Sequence, residues 1–89
     1  MQTPTIEPTA QESPEQRAFA EIAARVTAAN LAVEDAREAR DRFRFEHPIP
    51  TPLIRAQYGE LEGAVVQKER ALQQLLGPYS EAKARMEGW

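Results

Sequence analysis

The residue types best able to do chemistry in this chain gather in one stretch, "REARDRFRFEH", residues 37–47. Arg37, Arg40 and Arg44 recur at spacings of three and four, so on a helix they share one face, with Arg42 beside them. A guanidinium stripe of this kind grips phosphate or a partner's carboxylates through paired hydrogen bonds. Phe43 and Phe45 interleave with it, and aromatics beside arginines can stack on nucleic-acid bases. Glu38, Asp41 and Glu46 neutralise the stripe locally. The plainer reading is a solvated helix face with internal ion pairs, and the stripe stands beside it as a candidate partner contact.

Catalytic machinery is harder to find. His47 is the sole histidine, and the chain has no cysteine to share a metal with it. A single His next to Pro reads as a solvated loop residue. Ser13 and Ser80 have no base nearby in sequence, no glycine-rich phosphate loop is present, and no carboxylates pair on an apolar stripe. The expectation is a protein that is not an enzyme, with no cofactor, no metal and no small-molecule substrate.

Composition narrows the class further. Eighty-nine residues make one small domain, marginal by itself and open to help from an oligomer or partner. The net charge is −3, but residues 15–45 and 53–89 are each balanced; the surplus lies in Glu7, Glu12 and Glu46. Balanced helices disfavour nucleic acid, whose binders carry excess Lys and Arg. No apolar run approaches a membrane span, and Met1–Ala10 lacks the basic-then-apolar order of a signal peptide. These features predict a cytoplasmic protein or one carried in a virus particle.

The elements that must position these residues follow from punctuation and period. Residues 1–13, "MQTPTIEPTAQES", are rich in Pro and Thr and predict an extended or disordered arm. Ser13, Pro14 and Gln16 form the start signal of a helix over about 14–45. Its apolar seam runs Phe19, Ile22, Val26, Ala29, Val33, Ala36, then Arg40 and Phe43, alternating three and four. Glu21–Arg25 and Glu38–Arg42 offer flanking ion pairs at i, i+4.

Pro48, Pro50 and Pro52 break the chain over residues 46–52, because each restricts the residue before it and lacks a donor. Thr51 and Pro52 restart a helix over about 53–87. The second seam is Ile54, Tyr58, Leu61, Val65, Lys68, Leu72, Leu75, Tyr79, Ala82, Met86 and Trp89. Gly77–Pro78 predicts a kink or a short third helix. Gly59 and Gly63 could permit close helix approach, or be tolerated exposed glycines. Two matching seams on a rigid turn predict an all-α fold, an antiparallel, coiled-coil-like two-helix hairpin.

Folding the seams together sets Phe19 near Tyr79 and Val33 near Val65. Lys68 falls near Asn30 and Glu34, predicting either a contact there or an ammonium snorkelling into water. Met86 and Trp89 overhang the start of the first helix, and Leu31, Leu53, Val66 and Leu76 lie off the seam. An apolar overhang marks a contact surface, so Tyr79, Met86 and Trp89 join Arg37, Arg40 and Arg44 as candidate partner-binding residues.

Three functions suit this reading. The first is a structural or assembly protein that oligomerises or docks on a larger complex, in the manner of a minor phage-particle component. The second is a small inhibitor that blocks a bacterial protein. The third is a nucleic-acid-associated helical protein. Heptads and a proline turn are too generic to point to one family.

Overall fold

The computed structural model describes residues 13–88 and contains two helices, α1 (Pro14–Glu46) and α2 (Pro52–Met86). At 1.5 Å per residue their 33 and 35 residues make rods of about 50 Å each. They fold back on each other as the antiparallel hairpin the seams predict, with no strand among the described residues. The N-terminal arm and Trp89 lie outside the described residues.

Both helix starts are built from local chemistry. Ser13 Oγ accepts from the Gln16 backbone N–H at 3.0 Å, and Gln16 Oε1 accepts from the Ser13 N–H at 3.1 Å. That reciprocal pair satisfies donors a helix leaves unpaired. At α2, Thr51 Oγ1 accepts from the Ile54 N–H at 3.2 Å, and Pro52 fills the first position, where its missing donor costs nothing. Gly88, at φ +84°, follows the last turn of α2 in the left-handed region that glycine tolerates.

Phe19 and Tyr79 pack with ring centroids 5.3 Å apart. Two heptads inward from that pair on each helix stand Val33 and Val65, each 4% exposed. The constant step confirms the expected register. Together with Ala82, these two valines are the whole buried core among the described residues. Ile22, Val26, Leu61, Leu72 and Leu75 line the seam half-buried, since one neighbouring helix cannot cover them.

Several open alternatives are decided. Gly77 and Pro78 start no third helix; α2 runs through both. Of the two alternatives for Lys68, the outward one holds: it is exposed and makes no hydrogen bond or ion pair with Asn30 or Glu34, while Ala64 and Glu69 are half-buried. Leu61 and Leu75, one heptad on either side of Lys68, stay half-buried, so the seam keeps its line there and only the long side chain carries its charge out to water. Of the flanking pairs, neither Glu21–Arg25 nor Glu38–Arg42 closes, whereas Glu81–Arg85 does at 3.8 Å.

The glycines serve no close approach. A methyl group added at Gly59 or Gly63 would meet nothing within 4 Å. Alanine at both positions is therefore expected to stabilise the hairpin by about 1 kcal/mol each, by restricting the unfolded backbone. A thermal melt checks this, and a lowered midpoint would show that the glycines have a packing role after all.

Candidate functional site

The five residues between the helices, His47 to Thr51, make a compact cap rather than a loose loop. The His47 backbone N–H donates to Phe43 O at 2.9 Å and ends α1. The same carbonyl accepts from the His47 ring, also at 2.9 Å, which places a proton on Nδ1 because a carbonyl can only accept. The imidazole lies against the Phe43 ring, centroids 4.2 Å apart. His47 is therefore a half-buried helix cap and not the solvated loop residue its sequence context suggests. The Thr51 N–H then donates to Ile49 O at 3.0 Å, a three-residue turn around Pro50.

This cap leaves a recess of about 460 Å³ at the turn end. Its walls come from both helices: Phe43 and His47 of α1, Ile54 and Tyr58 of α2. Pro48 and Pro50 close it at the turn. Arg44 and Arg55 flank it from opposite helices, and neither makes a hydrogen bond or ion pair with the described residues. Outside the recess stand Phe45, Ile49 and Leu53, at 86%, 72% and 66% exposure the most exposed large apolar residues described. The hairpin tip is thus greasy and, with two arginines against Glu46, locally positive on an acidic chain.

The arginine stripe divides. Arg37 reaches across the seam to the Glu69 carboxylate. Arg40 Nε donates to Asp41 Oδ1 at 2.9 Å, and this hydrogen bond raises the Arg40 pKa above its ordinary value. Only Arg44 of the three remains uncommitted, at the recess. The Arg37–Glu69 pair is solvent-exposed and contributes less than about 1 kcal/mol.

At the opposite end, Tyr79 gives one face to Phe19 and is half-buried in the seam, and Met86 is half-buried in the last turn of α2. Trp89 lies outside the described residues. A shallow hollow there is lined by Pro14, Ala18, Ala82 and Arg85. The predicted site residues therefore fall at three places: mid-seam for Arg37 and Arg40, the tip for Arg44, and the open end for Tyr79 and Met86.

The sequence places Phe45 beside the arginine stripe but does not mark Arg55 or Ile49, or a hollow at the tip, as part of a site. The signal available was the run of large apolar residues Phe45, Ile49 and Leu53 around the prolines, at positions where a turn ordinarily carries polar side chains. Among the described residues no three His, Asp or Glu side chains gather to hold a metal ion, and no helix is long and apolar enough to cross a membrane. No family model, curated protein or solved structure matches the chain.

Proposed function

We propose that this chain is a non-enzymatic structural or assembly protein whose helical hairpin associates with further copies or docks on a larger complex. One observation carries the reading: two helices of about 50 Å each bury only Val33, Val65 and Ala82 between them. A hairpin with so thin a core gains stability when a further helical layer covers its half-buried seam. Leu31, Val66 and Leu76, exposed at 42–55%, add apolar area for that layer to take. A minor component of a phage particle, or a comparable assembly inside a bacterial cell, suits a small, cysteine-free, Ala- and Arg-rich chain of this kind.

Light scattering on the purified chain tests the proposal. A dimer or larger species that dissociates on dilution is the expected result, and Met86→Ser with Trp89→Ser weakens it if the open end contributes. A monomer at every concentration would refute self-association.

The exposed tip favours a second reading, a small regulator that presents Phe45, Ile49 and Leu53 to another protein as buried anchors. A nucleic-acid role draws less support, because Arg37 and Arg40 are already held by carboxylates.

A further inference from the structure

We infer that the recess at the turn receives residues Ile6–Glu12 of a second copy, packed antiparallel so that the tip of each hairpin lies against the open end of the other. The inference rests on the self-association proposed above and names its contact.

The recess has a definite chemistry: an aromatic and proline-lined hollow flanked by Arg44 and Arg55. The macrodipole of α1 ends at the tip and that of α2 begins there, so their partial charges oppose each other and the arginines set the local sign. The fitting occupant is an extended segment with an aliphatic anchor and carboxylates. Proline-containing segments suit aromatic-lined grooves because their backbone is already restricted to an extended form.

One segment of this chain has that character. The twelve residues before Ser13 carry Ile6, Glu7 and Glu12, with Pro4 and Pro8, and no basic residue. They hold two of the three acids by which the chain departs from local balance.

Reach decides which copy is engaged. From Ser13 to Ile6 a fully extended chain spans at most about 25 Å. The recess begins near Phe43, about 45 Å along α1 from Ser13. No copy can fill its own recess. In an antiparallel pair of hairpins, each tip stands beside the residue from which the other copy's segment departs. The contact is then reciprocal and closes as a two-fold dimer with four helices side by side. Met86 at each open end comes next to the partner's exposed tip, so both apolar ends are covered at once. A tip-to-tip dimer would instead bring like-charged arginines together.

The test uses three full-length proteins: the unaltered chain, a tip variant (Arg44→Gln, Arg55→Gln) and an arm variant (Ile6→Ser, Glu7→Gln). All substituted tip residues are exposed, and circular dichroism checks that helicity is retained. Sedimentation equilibrium is expected to show each variant dimerising about tenfold more weakly than the unaltered chain. Mixing the two variants is expected to restore association in part, because the mixed dimer regains one intact arm-to-tip contact. Tip sensitivity without arm sensitivity would mean that something else fills the recess, and would overturn the inference. So would unchanged association in both variants, or a mixture no stronger than its components. If the unaltered chain is itself a monomer, the assembly reading fails first. A fluorescent peptide of residues 1–12, bound by the unaltered chain but not by the tip variant, would then still support the contact chemistry, and absence of binding would end it.

Discussion

In the chain diluted until it is monomeric, Val33→Asp is expected to abolish cooperative thermal unfolding of the hairpin, read by circular dichroism, while Leu31→Asp leaves the melt within about 0.5 kcal/mol of the original. The two positions are two residues apart on α1 and both carry aliphatic side chains. Val33 is 4% exposed, whereas Leu31 is 55% exposed. An aspartate at Val33 would stand opposite Val65 with no cation in place, so its charge is either desolvated without a partner or the helices separate. The cost is at least about 3 kcal/mol. A domain of this size has on the order of 4–11 kcal/mol in total, and a two-helix unit with a three-residue core belongs at the low end. Val33→Ala is the graded version, losing about 1–2 kcal/mol from the removed methyl groups. An unchanged midpoint for Val33→Asp would mean that the seam is not what joins the helices.

Replacing Pro48, Pro50 and Pro52 together by alanine is expected to convert the hairpin into a straight rod that pairs with a second rod. Proline is about 3 kcal/mol worse than alanine in a helix interior, so three replacements shift the balance toward continuous helix by roughly 9 kcal/mol. The caps that now end α1 and begin α2, the His47 N–H on Phe43 O and Thr51 Oγ1 on the Ile54 N–H, are too weak alone to oppose that. A helix through residues 14–86 is about 110 Å long and carries both seams with no partner in its own chain. A second rod running antiparallel supplies the same contacts, Phe19 on Tyr79 and Val33 beside Val65, between chains. Small-angle X-ray scattering would show the longest dimension roughly doubling. A dimension no greater than that of the unaltered protein would show that the prolines do not hold the fold-back.

Much of this fold is readable along the chain. Ser13–Gln16 and Thr51–Pro52 announce the helix starts because a cap acts on backbone groups two or three residues away. Phe19–Tyr79 is predicted because one turn centre and two regular seams leave a single antiparallel register. The candidate site was less legible. Phe43, Ile54 and Tyr58 read as ordinary seam residues, and their joint lining of a recess with Pro48 and Pro50 depends on the two helix ends meeting at the cap. The arginine stripe reads as three equivalent residues. In the folded chain, Glu69 from the other helix takes Arg37 and the adjacent Asp41 takes Arg40, which leaves Arg44 with Arg55 at the tip.

The sequence by itself determined the two helices, the place where the chain turns back and the register of the pair. These follow from capping, proline and apolar spacing, all of which act on neighbouring backbone or repeat with the helix. The tertiary structure alone decided that Lys68 turns outward while Glu69 crosses to Arg37, that the glycines face open space, and that the turn holds an apolar hollow between two uncommitted arginines. Those outcomes depend on which side chains arrive from the opposite helix, and that is not encoded in the residues of one helix taken alone.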